Sequence, residues 1–193
     1  MSCIEGDGLL DGGTPCGGKN PPRRLHVILV EPEIASNTGS IGRTCVAAGA
    51  TLWLVRPIGF HLDDRHLRRA GLDYWEHLDW RVVDRLGDVV AALGRDRLWS
   101  FSTKATRVYT DVAYRAGDAL VFGPETRGLP RHWLIESSDH ALRIPIRPEA
   151  RSLNLANAVA IAAFEAVRQI GGLEPADPPA IFSVSPPPDP PED

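Results

Sequence analysis

Short apolar runs alternate with longer segments of mixed polarity through the central part of the chain. The apolar runs at 25–30, 51–57, 80–84, 97–103, 119–123 and 140–146 have the length and composition of buried strands. The segments at 38–49, 63–71, 86–94, 129–137 and 152–172 carry apolar residues at helical spacing. Strands that alternate with helices predict an α/β domain, a mostly parallel sheet with flanking helices. Ligands of such domains bind in crevices at the carboxyl ends of the strands.

The two ends of the chain differ in composition from this alternating centre. Residues 1–22 are rich in Gly and polar residues, and residues 173–193 hold eight prolines. Segments of this kind bury too little apolar surface to offset the entropy of ordering a chain. We therefore predict one folded domain at 23–172, between disordered tails at 1–22 and 173–193.

Charge follows the same division. The formal net charge is −4, but the two tails carry −2 and −5, which leaves residues 23–172 at +3. A mildly basic domain is compatible with RNA binding without indicating it. The chain lacks an apolar stretch of bilayer length and a signal peptide at residue 1, so we expect a cytoplasmic protein with no membrane contact.

Several common sites have no signature in the sequence. Residues 13–20 match the glycine and lysine spacing of a P-loop, but Asn20 replaces the magnesium-binding Ser or Thr and two prolines follow. G-x-G-x-x-G and G-x-S-x-G are absent. The cysteines and histidines show no zinc spacing, so we expect no metal site.

The segment "EPEIASNTGSIGR" (31–43) leaves the first predicted strand. Ser36 or Asn37 can cap the helix that follows, and Gly39 and Gly42 indicate close packing against its first turns. Arg43 lies among apolar positions of that helix. It is either a snorkelling or ion-paired arginine or an anion contact at the mouth of the sheet, and the spacing leaves both open.

Two later junctions raise a similar question. "GPETRGLP" (123–130) follows the run "ALVF" and is either a plain turn or one wall of a ligand site. Ser152, Asn154 and Asn157 crowd the start of the last helix more than capping requires. The alternatives are one capping residue with solvated neighbours, or polar groups that hold a ligand. Two such junctions favour a site.

A basic cluster lies between the second and third predicted strands. Arg65, Arg68 and Arg69 stand at i, i+3 and i+4, on one face of the predicted helix at 63–71. A solvated helix face is the commoner explanation of such a run. If RNA is the substrate, the same face would contact its phosphates.

The segments "EPEIASNTGSIGRTC", "FGPETRGLP" and "RIPIRPEARSLNLANAVAIAAFEA" resemble, in order and spacing, the three motifs of the SPOUT RNA methyltransferases. The intervening "PIGFHLDDRHLRRAGLDYWEH" resembles the TrmL-type tRNA (cytidine/uridine) ribose 2′-O-methyltransferases of that family. The resemblance implies a C-terminal trefoil knot and a homodimer whose protomers share active sites. It also implies methyl transfer from S-adenosylmethionine to the ribose 2′-hydroxyl of the wobble nucleotide, position 34, in the anticodon stem-loop of tRNA.

The resemblance also implies roles for individual residues. The cofactor-binding positions are Phe101, Gly123, Ile144 and Ser152, and Gly123 would let the backbone approach the ligand. The catalytic positions are Arg43 and Asn154, with Arg43 orienting the acceptor nucleotide rather than removing its proton. The substrate-binding positions are Asn37, Arg65, Arg68, Arg69, Glu125 and Arg127.

Two other functions fit the same residues. One is a 2′-O-methyltransferase of this fold that acts on another tRNA site or on ribosomal RNA. The other is a non-catalytic RNA-binding module that kept the fold. The intact cofactor motifs argue against the second, because a binding module would not need them.

Overall fold

The computed structural model describes residues 25–61 and 74–171. These residues contain seven strands and four α-helices. The strands are β1 (Leu25–Val30), β2 (Ala50–Val55), β3 (Trp80–Val83), β4 (Leu98–Phe101), β5 (Arg107–Val108), β6 (Asp118–Phe122) and β7 (Ala141–Arg143). The helices are α1 (Ala35–Ala48), α2 (Leu86–Leu93), α3 (Arg131–Glu136) and α4 (Leu155–Ile170), with short 3₁₀ turns at Arg95–Arg97 and Ser138–His140.

The strands form a single sheet in the order β3-β2-β1-β6-β4-β7-β5, and neighbouring strands run parallel. In the centre of the sheet, Leu29 of β1 lies opposite Leu54 of β2 and Phe122 of β6. The carboxyl ends of β1 and β6 therefore reach the same edge, which places the two segments that follow them, 31–34 and 123–130, side by side. The parallel sheet with flanking helices confirms the predicted fold class, and the trefoil knot stays a prediction of the resemblance.

The helices cover both faces of the sheet, which explains why its central strands read as continuous apolar runs. Alternate residues of β1 point to opposite faces: Leu25, Val27 and Leu29 face one core, and Ile28 and Val30 face the other. The first core is closed by α1 and α4, which pack on each other as well as on the sheet. The second core is closed by α2 and α3.

The predicted elements agree with the structure except at their ends. Helix α1 begins three residues before the predicted start, and its N-cap is Ile34 without a side-chain bond, so the predicted capping by Ser36 or Asn37 is wrong. The strands predicted at 97–103 and 140–146 end earlier, at Phe101 and Arg143. The second ends before Pro145, which has no N–H for a ladder. Strand β5 was not predicted, since two residues are too short to show a pattern.

Some predictions fall on residues that the structure does not describe. These are the tails at 1–22 and 173–193, the helix at 63–71 and the basic cluster of Arg65, Arg68 and Arg69. Within the described residues, no helix is long and apolar enough to cross a membrane. The cytoplasmic location stays a prediction.

Candidate active site

The segments that follow β1, β4, β6 and β7 surround a cavity of about 560 Å³ at the carboxyl edge of the sheet. Its wall includes every residue from Gly123 to Leu129, so the "GPETRGLP" segment forms one side of a cavity rather than a free turn. A smaller cavity of about 100 Å³ adjoins it and shares Phe101, Phe122 and Ser152 with it.

The four predicted cofactor-binding residues all line these two cavities. Phe101 and Ser152 line both, Gly123 lines the larger and Ile144 the smaller. Phe101 ends β4 and stacks on Phe122 of β6, with 4.7 Å between ring centroids. The neighbouring strands thus place two stacked aromatic rings in the wall of both cavities, and Ser152, which lines both, is exposed.

A chain of side-chain hydrogen bonds, here called the polar tie, joins Glu125, Asn37 and Asn154 across the larger cavity. The Asn37 amide nitrogen donates to Glu125 Oε1 at 3.0 Å, and the Asn154 amide nitrogen donates to Asn37 Oδ1 at 3.0 Å. Asn154 Oδ1 caps helix α4 by accepting from the N–H groups of Ala156 (2.9 Å) and Asn157 (3.4 Å). The three members come from three different motifs of the sequence.

The cap fixes the direction of the whole polar tie. Because Asn154 Oδ1 faces backbone donors, its amide nitrogen must face Asn37, and Asn37 in turn must present its own nitrogen to Glu125. Asn37 is only 8% exposed, so replacing it would leave polar partners unsatisfied. Asn37, Glu125 and Asn154 therefore lie together, and their side chains bond to one another and to the backbone of Glu33, Ala156 and Asn157.

A second set of bonds joins the segments after β1 and β6. The Glu33 backbone N–H donates to Glu125 Oε2 at 2.9 Å, while Thr126 donates to the Glu33 carboxylate through both its backbone N–H (3.1 Å) and its hydroxyl (2.8 Å). Arg127 forms an ion pair with Glu31, and its other terminal nitrogen lies 4.0 Å from Glu33 Oε1. Arg127, a predicted substrate-binding residue, is thus held beside two carboxylates.

Glu31 has a left-handed backbone conformation, with φ of 50°. A non-glycine residue rarely adopts this conformation, and it costs on the order of 1–3 kcal/mol. The turn is stabilised by its neighbours, since the Glu31 N–H donates to Val55 of β2 at 2.9 Å and its carboxylate holds Arg127. Such strain is typical of functional sites.

Gly123 lines the cavity, and glycine is needed there for a contact within the protein, while its predicted approach to a ligand stays a prediction. A Cβ atom at this position would lie 2.3 Å from the Gly128 carbonyl carbon and the Leu129 nitrogen. The backbone that comes so close is the returning end of the same loop. Glycine here is therefore required by the loop that forms the cavity wall.

Arg43 lies outside both cavities and is exposed on α1. Its guanidinium carbon lies 4.8 Å from the centroid of the Tyr74 ring, so Arg43 stacks on an aromatic ring. The first alternative, a snorkelling or ion-paired arginine, did not include such a contact, and the second, an anion contact, stays a prediction. Gly42, next to it, has no room for a Cβ because Trp75 would be 2.9 Å away. The predicted close packing at this glycine is thus present.

Sequence reasoning missed two carboxylates of the site, Glu31 and Glu33. Both stand in the first motif, on either side of Pro32 and directly after a buried strand. The signal available in the sequence was charge: these carboxylates follow one predicted strand and Arg127 follows another, so a parallel sheet places opposite charges at the same edge. Residues 25–61 and 74–171 contain no cluster of three or more His, Cys, Asp or Glu side chains that could hold a metal ion.

This arrangement of motifs agrees with known proteins. The model of the SpoU rRNA methylase family matches residues 24–164. The chain belongs to this family.

Relatives in the family align with this chain over nearly all of their own length. A tRNA (cytidine(34)-2′-O)-methyltransferase from Saccharophagus degradans is 46% identical over 154 residues, which are 76% of this chain and 96% of the relative. The enzyme of the same name from Escherichia coli K12 is 46% identical over 151 residues, 76% of this chain and 94% of that one.

Solved structures of the family have the same fold. One, from work on 2′-hydroxyl methylation of C/U34 on tRNA, is 45% identical with a TM-score of 0.74 and covers 79% of this chain and 99% of its own. Another is the methyltransferase AviRb from Streptomyces viridochromogenes in complex with AdoMet (S-adenosylmethionine). It is 26% identical with a TM-score of 0.67 and covers 79% of this chain and 62% of its own.

We predict that Gly123→Ala destabilises the protein by roughly 2 kcal/mol, because the added methyl group overlaps backbone atoms that cannot rotate away. Gly87→Ala is the matched control. Gly87 lies in α2, and a Cβ added there would have nothing within 4 Å, so alanine should be neutral or stabilise by up to about 1 kcal/mol. Equilibrium urea unfolding measures both, and wild-type stability of Gly123→Ala would contradict the close approach.

Proposed function

We propose that this protein transfers a methyl group from S-adenosylmethionine to the ribose 2′-hydroxyl of nucleotide 34, the wobble cytidine or uridine, in the anticodon stem-loop of tRNA. The observation that carries the proposal is the extent of similarity: relatives with this activity in their names match over 94–96% of their length. All three motifs also meet at a single cavity.

The cavity suits a cofactor of this size and chemistry. Its volume lies within the range of roughly 300–1,000 Å³ that small-molecule sites occupy. The stacked rings of Phe101 and Phe122 offer an apolar surface for a purine. Gly123 and Leu153 lie in loops of the cavity wall, where backbone groups could meet the polar edges of the cofactor. Phe101, Gly123, Ile144 and Ser152 would hold the cofactor, as the sequence predicts.

When bound, S-adenosylmethionine supplies a sulfonium methyl group to which a ribose 2′-oxygen can bond as the sulfur–methyl bond breaks. The protein must then hold the nucleotide in line and help the hydroxyl proton leave. A guanidinium has no lone pair with which to accept that proton. We therefore place Arg43 as a donor that grips the acceptor nucleotide and stabilises the oxygen as negative charge develops on it. Glu125, Asn37 and Asn154 keep the cavity wall rigid while this happens.

The position of Arg43 supports a homodimer. It lies outside the cofactor cavity of its own chain, on the same face of the sheet that α1 and α4 cover. The apolar side chains of Ile34 (45% exposed), Ile161 (38%) and Phe164 (45%) lie exposed at the start of α1 and along α4. We infer that α1 and α4 pack on a second copy, and that Arg43 of the partner subunit completes each site.

Within this proposal, Arg65, Arg68 and Arg69 contact tRNA phosphates, and Arg127 lies at the cavity mouth. Another tRNA site or a ribosomal RNA remains the alternative substrate. A non-catalytic RNA-binding module is less well supported, because it would not need a formed cofactor cavity.

We predict that the purified protein converts nucleotide 34 of a substrate tRNA to its 2′-O-methyl form, as measured by mass spectrometry of digested tRNA. The matched control is the same tRNA with a single 2′-deoxy nucleotide at position 34, which should gain no methyl group. Ser152→Trp should abolish cofactor binding in calorimetry, because Ser152 lines both cavities and a tryptophan side chain would fill space in them. Ser138→Trp, at an exposed serine that lines neither of these two cavities, should bind normally.

Methylation at another nucleotide would contradict the assignment to position 34 and support the alternative, a 2′-O-methyltransferase that acts on another RNA site. Binding of S-adenosylmethionine to Ser152→Trp with wild-type affinity would place the cofactor elsewhere.

We also predict that Arg43→Ala and Ser152→Trp complement each other. Each variant alone should be inactive, because one lacks the nucleotide grip and the other the cofactor cavity. Co-expressed chains should recover about a quarter of wild-type activity, since about half of randomly formed dimers are mixed and each has one intact site. Mixed dimers as inactive as the separate variants would show that Arg43 serves the cavity of its own chain.

A further inference from the structure

Tyr74 lies directly beneath Arg43. The guanidinium carbon of Arg43 is 4.8 Å from the centroid of the tyrosine ring, which is within the range of a cation–π contact. The ring is 42% exposed, so it is not a core residue whose orientation is explained by burial. The contact that the structure describes for this ring is the one with Arg43, so burial does not account for the stacking of the two side chains.

The segment that carries Tyr74 is anchored by its neighbours rather than by the ring itself. Trp75 packs against Gly42, which has no space for a side chain, and Leu78 is buried in the core below α1. Trp75 also contacts Trp80 at the start of β3, with 5.6 Å between ring centroids. The backbone at 74–78 is thus fixed to α1 immediately beside Arg43, and Tyr74 is placed under the guanidinium as a result.

Stacking positions a guanidinium differently from an ion pair. A carboxylate bonds to the N–H groups at the edge of the fork, whereas a ring covers one planar face and leaves those N–H groups for a ligand. The two site arginines illustrate the difference. Arg127 is paired with Glu31, while none of the ion pairs formed within residues 25–61 and 74–171 includes Arg43.

We propose that Tyr74 is a positioning residue for methyl transfer, which holds the Arg43 guanidinium in the orientation that grips the acceptor nucleotide. The inference rests on the proposed role of Arg43. The aromatic ring carries the effect, and the hydroxyl group of the tyrosine contributes little. Because the ring touches Arg43 and not the cofactor cavity, its loss should slow turnover without weakening cofactor binding.

The test compares Tyr74→Leu with Tyr74→Phe in the methylation assay. Leucine removes the π face and should lower kcat by about tenfold, since a misplaced catalytic group loses more than the contact itself contributes. Phenylalanine keeps the face and should restore kcat to within about twofold of wild type. The KM for S-adenosylmethionine and the unfolding temperature should be unchanged in both.

A double-mutant cycle with Arg43→Lys separates positioning from a general structural effect. Lysine has no planar group to stack, so Tyr74→Leu should cause little further loss in the Arg43→Lys background. The stack itself is read by NMR, as a ring-current shift of the Arg43 Nε–H that Tyr74→Phe retains and Tyr74→Leu loses.

Different outcomes overturn different claims. Wild-type kcat in Tyr74→Leu beside an impaired Arg43→Lys would overturn this inference alone. An equal loss for phenylalanine and leucine, or an equal loss in the two Arg43 backgrounds, would do the same. A wild-type protein that transfers no methyl group would overturn the proposed function and this inference together.

Discussion

The polar tie of Glu125, Asn37 and Asn154 holds together a site that no single element forms. Its members lie at three different junctions between a strand and a helix, and its two bonds span 88 and 117 residues of sequence. The direction of every bond follows from the cap on α4, because the oxygen of Asn154 faces the free N–H groups of that helix. A requirement of helix capping thus fixes the amide orientation at the cavity wall.

The contacts of Arg127 and Arg43 indicate that the two arginines have different roles. Glu33 and Glu31 bind Thr126 and Arg127, so the charges of the cavity wall are largely paired within the protein. Arg43 differs from Arg127, because its guanidinium stacks on the ring of Tyr74. The N–H groups of Arg127 are engaged by neighbouring carboxylates, whereas those of the stacked Arg43 stay available for a ligand. For this reason we propose that Arg43 contacts the acceptor nucleotide.

The fold and the cavity wall could be predicted from the sequence because both depend on local patterns. Buried parallel strands read as apolar runs, and the three motifs stand at strand ends, where the structure places the cavity. The roles of individual residues depend on contacts between distant segments, which no local pattern shows. Asn37 was expected to cap α1, but its side chain bonds to Glu125 and Asn154. Glycine is needed at position 123 because the backbone of Gly128 and Leu129 comes too close for a side chain. Such contacts form between chain segments that meet only in the folded protein.

The most direct test of this account is the affinity of Asn37→Leu for S-adenosylmethionine, measured by calorimetry beside Ser40→Ala. Leucine keeps the size of the side chain but breaks both bonds of Asn37, whereas Ser40 is exposed on the same helix. If the polar tie shapes the cavity, Asn37→Leu binds about tenfold or more weakly, by the cost of two unsatisfied polar partners, and Ser40→Ala binds as wild type. Equal affinity in a folded Asn37→Leu protein would mean that the cavity forms without the polar tie.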